Sequence, residues 1–204
     1  MMIERGTIAI NRLTGSRWEV LEGAAETGSC GFSIKITCQP RAAPDVTEHV
    51  HLDWDENFQI VEGHATYSLQ GESYTAEAGD TVHMPPRQSH VHPWNDGDAP
   101  LVYIQRARFP APQPGAFEET FGVFLTLFGM AAKPGLLNRR GMPRDLLAFA
   151  AVGRALGRYR NYDAAVPILL QRAASATLGR LAEARGIPAI DPAYIDLARP
   201  GPGE

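Results

Sequence analysis

Cysteine is scarce: Cys30 and Cys38 are the only two among 204 residues. Two thiols cannot make a disulfide framework, so a reducing compartment, the cytoplasm, is the expected setting. Their spacing across an expected strand is not that of a zinc site either, and both are expected to be buried or inert, not ligands. Long apolar runs are also missing. The longest, 121–132, is about a dozen residues, contains Thr126 and two glycines, and is too short to span a bilayer. The opening stretch Met1-Met2-Ile3-Glu4-Arg5-Gly6 has no apolar signal segment. Positive charge is not in excess. With 19 Lys and Arg against 23 Asp and Glu, the formal net charge is −4, which gives no electrostatic case for a nucleic-acid partner. No helix-turn-helix signature with a basic face is visible. Disorder, collagen-like repeats and coiled coil are excluded by 44% hydrophobic and 21% charged content.

Histidine is absent from the second half. All six, His49, His51, His64, His83, His90 and His92, lie in one window. Charge divides the chain as well: residues 1–132 carry 8 basic and 17 acidic side chains, residues 133–204 carry 11 and 6. Between the halves, Phe109-Pro110-Ala111-Pro112-Gln113-Pro114-Gly115 places three prolines at alternate positions. That segment suits neither a helix nor a central strand, and reads as a connector over 109–115.

Before the connector the pattern is β, with short β-branched and aromatic runs separated by Gly, Asn or Asp. Strands are expected near 7–10, 17–21, 32–37, 49–52, 57–61, 65–69, 73–76, 81–84, 89–92 and 101–105. Many short strands at this spacing predict an all-β sandwich or small barrel over 1–108, not a βαβ sheet. After the connector the period becomes helical, giving a helical extension over 116–186. Phe117, Phe121, Phe124 and Phe128 fall on one helix stripe, with Glu118 and Glu119 in the first turn, and Lys133-Pro134 ends it. Such a face must be buried, against the outer sheet or a second subunit. A second helix is expected from Pro143 to about Leu156, and a third from about Ala164 to Ala184 with Pro167 in its first turn and Gly186 as its stop. The third carries Arg172, Arg180 and Arg185 beside leucines, a weak case for a membrane surface or acidic partner. Residues 187–204, rich in Pro and Gly, are expected to be a loose tail.

Two stretches carry the chemistry. One runs His49-Val50-His51-Leu52-Asp53-Trp54-Asp55-Glu56 and on to Gly63; the other runs from Gly79 through His83-Met84-Pro85-Pro86-Arg87-Gln88-Ser89 to His90. Residues i and i+2 on a strand share a face, so His49 and His51 can converge. Glu56 is in phase with Phe58 and Ile60, and the three line the interior together. A carboxylate there is costly unless paired, and two or three imidazoles around a metal supply the partner. Such a ligand set suits Fe, Mn, Ni, Cu or Zn and leaves positions open for substrate or water.

This spacing resembles the cupin superfamily. His49, His51, Glu56 and Gly63 fit its first motif, although Ala43 stands where a glycine leads it. Gly79, Pro85 and His90 fit the second, with Arg87 in place of its second glycine and Trp94 in place of its asparagine, Asn95 coming one residue late. The resemblance covers roughly 34–108. It implies a double-stranded β-helix (jelly-roll) barrel holding one divalent transition metal on His49, His51, Glu56 and His90, and, since cupins commonly dimerise, a homodimer.

His92 is in phase with His90. It reads as a fifth ligand, a hydrogen-bonding group behind the ligands, a general acid or base, a replacement for His90 if the register slips, or simply a polar group at the barrel mouth. Glu56 is the other catalytic candidate. Phe58, Ile60, Tyr67, Trp94, Tyr103 and Gln105 are expected to line a substrate pocket by phase, plain core being the bland alternative for the aromatics. Arg87, Gln88 and Arg106 could meet a substrate carboxylate, though surface solvation explains each. His64 and His83 fall out of phase and are left outside the site. The expected function is that of a metal-dependent cupin acting on a small polar substrate, a carboxylate or hydroxy-keto compound. A dioxygenase is slightly favoured over an isomerase, decarboxylase or lyase. The alternatives are a non-catalytic metabolite sensor and an interaction protein using its basic helices.

Overall fold

The computed structural model describes residues 3–201. Ten strands precede the connector: β1 (Ile8–Ile10), β2 (Arg17–Glu22), β3 (Gly31–Cys38), β4 (His49–His51), β5 (Asp55–Glu62), β6 (His64–Leu69), β7 (Glu72–Glu77), β8 (Thr81–Met84), β9 (His90–Trp94) and β10 (Leu101–Arg108). Each overlaps one of the runs marked out by β-branched and aromatic residues. An eleventh strand, β11 (Asn161–Asp163), comes from within the helical extension. The strands form two antiparallel sheets, in the orders β1-β2-β3-β10-β5-β8 and β11-β4-β9-β6-β7.

Alternation decides which face is buried. In β3, Phe32, Ile34, Ile36 and Cys38 are buried while Lys35 is exposed. Register places Trp18 of β2 and Tyr103 of β10 beside Ile36, and Gln105 beside Ile34, so all of these point inward. Gly63 turns β5 into β6 with φ at +85°, and an added Cβ would lie 2.4 Å from the carbonyl oxygen of Pro100. Only glycine fits that turn without displacing backbone.

The barrel is all-β as expected, but the chain as a whole is not. Six helices are described: α1 (Ala24–Thr27), α2 (Ala116–Met130), α3 (Leu146–Arg158), α4 (Ile168–Ala176), α5 (Leu178–Ala184) and α6 (Pro192–Ala198). The phenylalanine stripe of α2 does not pack on the outer sheet. Phe121, Phe124 and Phe128 ring the inward-facing Trp18 at 6.4, 5.3 and 5.0 Å between ring centroids, and Phe117 stacks on inward-facing Phe32 at 5.2 Å. The helix therefore sits over the barrel's open side, and one hydrophobic core runs through both halves.

The connector is pinned rather than free. Phe109 is buried against Trp54, and the amide of Gln113 donates to the carbonyl of Ser29 at 2.8 Å. The second helix starts later than expected, because the Asp145 side chain, accepting from the amides of Leu147 and Ala148, caps it. The expected third helix is interrupted. Residues 161–163 form β11, Pro167 is the N-cap of α4, and Thr177 (φ −111°, ψ −80°) separates α4 from α5. The expected loose tail contains α6, whose Ile195 and Ala198 are buried against the core. Ile190, Tyr194, Ile195 and Ala198 supply a helical apolar face that the surrounding prolines and glycines conceal. The two residues that open the N-terminal stretch and the last three of that tail lie outside the described residues. No helix among the described residues is long and apolar enough to cross a membrane.

Candidate metal centre

Strands from both sheets deliver the histidine window to one point. His49 and His51 alternate out of the short strand β4, and His49 lies in register with His90 of β9. Glu56 enters from β5 in the opposite sheet. Strand β9 is irregular: two steps along β6, from Thr66 to Ser68, face three steps along β9, from Trp94 to Val91. This bulge at Pro93 keeps His90, His92 and Pro93 buried and turns Trp94 away.

The five side chains His49, His51, Glu56, His90 and His92 each offer a ligand atom, and these atoms all lie within 4.8 Å of one another. Oε2 of Glu56 is 3.1 Å from Nε2 of His90, 3.3 Å from Nε2 of His51 and 3.4 Å from Nε2 of His92. Nε2 of His49 and His51 are 3.1 Å apart. All five residues are buried.

The far side of four of these groups is held. Nδ1 of His49 faces the carbonyl of Thr47 at 2.8 Å, and Nδ1 of His90 faces the carbonyl of Gln88 at 2.9 Å. Nδ1 of His51 faces Oδ1 of Asn161 at 2.5 Å. Carbonyl oxygens only accept, so each Nδ1 carries the proton and donates, which leaves each neutral ring's Nε2 lone pair pointing inward. Nε2 of Gln105 donates to Oε1 of Glu56 at 2.7 Å, leaving Oε2 as the inward oxygen. Inward lone pairs and a carboxylate crowded to this degree repel one another unless protons or a cation lie among them. His92 adds two buried ring nitrogens with no hydrogen-bond partner. The donor set therefore fits a divalent transition metal, with the outer partners fixing ring orientation in the usual manner of metal-binding histidines.

Electrostatics divides the group. Burial, reinforced by the neighbouring imidazoles, holds His49 well below the ordinary histidine range. Burial lowers His92 too, more than Glu56 can restore. Burial would also lower His51, but the Glu56 carboxylate outweighs it and raises that ring. Glu56 itself, despite burial that favours its neutral form, is held well below the carboxylate range by His51 and His92.

The departures from the second motif have local explanations. Arg87 takes the left-handed conformation, φ +68°, at the position where the motif has glycine, and its amide donates to the carbonyl of His51 at 2.7 Å. The Pro93 bulge adds one residue, so Asn95 arrives one position late. It is buried, and its Nδ2 donates to the carbonyls of Gln39 and Ala99 at 3.0 and 2.8 Å.

Residues 36–105 match the family described as Cupin domain, a span that contains all five converging side chains. Over residues 36–105 the barrel is a cupin domain. Among solved structures, the cupin barrel is similar to a predicted oxalate decarboxylase from Thermotoga maritima, at 19% identity and a TM-score of 0.45, covering 53% of this chain and 99% of that one. It is similar as well to the cupin domain of an XRE family transcriptional regulator from Enterobacter cloacae, at 15% identity and 0.40, covering 47% and 98%. A third is KdgF from Halomonas sp., at 18% and 0.39, covering 48% and 82%. At such distances these likenesses carry nothing about substrate or reaction. No curated protein matches the sequence.

A cavity of about 730 Å³ lies between the cupin barrel and the helices, and His49, His51, Glu56 and His92 open onto it. Of the expected pocket residues, Gln105 lines it. Phe58, Ile60 and Tyr103 are fully buried core beside the site, Phe58 packing on His92 at 4.8 Å. Tyr67 stacks on Tyr74 of β7 instead, and Trp94, turned by the bulge, pairs with Thr66; neither lines the cavity. Arg106 is exposed and donates to Gln59 at 3.1 Å, while Gln88 contributes only its backbone carbonyl. His83 is exposed and bonded to Asp55, and His64 is exposed near Asp96. Two residues of the site were not foreseen. Trp54 stacks on the ring of His51 at 4.7 Å, and Asn161 of β11 holds that ring from behind. Asn161 sits 110 residues beyond His51, and no spacing rule reaches that far.

Proposed function

We propose that the chain is a metal-dependent cupin enzyme. A divalent transition metal would be held by His49, His51, Glu56 and His90, with His92 completing or flanking the set, and the reacting compound would enter from the cavity beneath the helices. The supporting observation is the convergence of five buried donor atoms within 4.8 Å, four of them oriented by hydrogen bonds on their far side. When bound, the metal supplies Lewis-acid polarisation of a substrate oxygen and, if it is iron, a route to dioxygen chemistry.

The protein's own groups do the rest. Gln105 and Asn161 fix the orientation of Glu56 and His51. Trp54 and Phe58 pack against the His51 and His92 rings and hold them in place. His92 stands apart because Nδ1 has no partner and its ring lines the cavity. Burial lowers its pKa, so His92, where it flanks the metal set instead of joining it, is suited to take a proton from a substrate or return one. Oxidation of an oxygenated carbon compound is the first chemistry to test. Oxygen uptake on a panel of hydroxy and keto acids, by protein purified without chelators and reloaded with Fe(II), should be present in the wild type and lost in Glu56→Gln. Stoichiometric metal with tight ligand binding and no turnover would make it a binding protein instead.

A further inference from the structure

The expected substrate is small and polar, but the space above the centre is neither. From the metal cluster the cavity continues along the aromatic face of α2, past Phe121 and Phe124, and reaches a rim of exposed Leu146, Phe149 and Leu170. Its size is that of a pocket for a whole organic ligand rather than for a two-carbon acid. Apolar side chains dominate the lining, with Arg139, Arg140, Asp163, Gln171 and Ser175 toward the helices, and two polar groups at the inner end are left unpaired. Oδ1 of Asn161 is engaged by His51, and Nδ2 is left as a buried donor without a partner. Oε1 of Gln105 is a buried acceptor without a partner, because its Nε2 is engaged by Glu56. Both residues line the cavity. Unpaired buried polar groups are costly and call for a ligand that pairs them.

We propose that the site takes an amphiphilic small molecule. Its oxygenated head offers an acceptor to Asn161 and a donor to Gln105, and its alkyl or aromatic body lies under α2 and α3. A 2-hydroxy carboxylate with a medium-length chain has this chemistry. The proposal rests on the metal-centre reading, since the free Nδ2 of Asn161 requires His51 Nδ1 to be the donor.

Gly153 provides the test. It lies on α3 and lines the cavity, and a Cβ built there meets nothing within 4 Å. Gly153→Phe would place a ring in the cavity, and Gly153→Leu is a milder version in case the first does not fold; circular dichroism verifies both. Metal content is measured first on each protein. Calorimetry then follows binding of 2-hydroxybutanoate, 2-hydroxyhexanoate, 2-hydroxyoctanoate and 2-hydroxydecanoate to the metal-loaded forms. The expected result is equal metal in all three proteins and a wild-type affinity that rises roughly threefold to fourfold per added methylene. The gain should fall by at least tenfold for the longer acids in the Gly153 variants. Metal-loaded wild type that binds all four acids alike, or that keeps its preference for long chains in the folded variants, overturns the proposal while leaving the metal centre standing. Absence of metal from the wild type overturns both.

Discussion

Oδ1 of Asn161 lies 2.5 Å from Nδ1 of His51, so a strand donated by the helical extension fixes a ring of the candidate metal centre. The extension is therefore part of the site's construction. Removing the acceptor should free the His51 ring and leave its Nδ1 unpaired. Asn161→Leu is expected to lower metal affinity by roughly 10- to 100-fold, as loss of such outer partners does elsewhere. Competition against a chromogenic chelator measures this, and Asn161→Asp, which still accepts, should retain most of the affinity.

Metal removal should loosen the whole chain, because the ligands come from both sheets and the extension touches one of them. At free metal near 100 times the dissociation constant, binding adds about 2.7 kcal/mol to stability. For a chain of this size that corresponds to a melting shift of roughly 5–10 °C between chelated and loaded protein. The same comparison in Glu56→Gln should show a much smaller shift.

The two thiols should differ sharply. Cys38 is buried, and burial, with Asp45 nearby, pushes its thiol up to about 12, whereas Cys30 is exposed. The thiolate is the reactive form, so Cys38 should stay silent toward a thiol reagent through pH 8–9 while Cys30 reacts. One equivalent is expected from native protein and two after denaturation. Two fast equivalents from native protein would contradict the burial of β3.

Docking of α6 depends on Gly129. A Cβ there would fall 1.8 Å from the carbonyl oxygen of Tyr194. Gly129→Ala must push α6 away from α2, at a cost of about 1–3 kcal/mol. Hydrogen exchange should show the loss of protection concentrated in residues 192–198.

Much of the barrel was legible because alternation is local. A run such as Ala65-Thr66-Tyr67-Ser68-Leu69 carries its own evidence of a half-buried strand, and His-x-His with a carboxylate five residues on carries its own evidence of convergence. Trp94 was misplaced because phase counting assumes an unbroken strand, and the Pro93 bulge shifts every residue after it. The same bulge explains why Asn95 falls one position late. Asn161 was not legible at all: its role comes from strand β11 pairing with β4, a tertiary contact with no periodic trace. Helix α6 is hidden in the sequence because Pro and Gly at its flanks outweigh the apolar spacing of Tyr194, Ile195 and Ala198. The role of the α2 stripe was half visible. Its aromatic face announced burial, but only the inward direction of Trp18 and Phe32 showed that the buried side is the mouth of the barrel.

The most direct test is diffraction from crystals of protein purified without chelators, with data collected on both sides of the absorption edge of the metal found by elemental analysis. An anomalous peak bonded to Nε2 of His49, His51 and His90 and to Oε2 of Glu56 is the predicted result. A metal bound by a different set of residues, or these side chains converging in a metal-replete preparation with no peak between them, would contradict it.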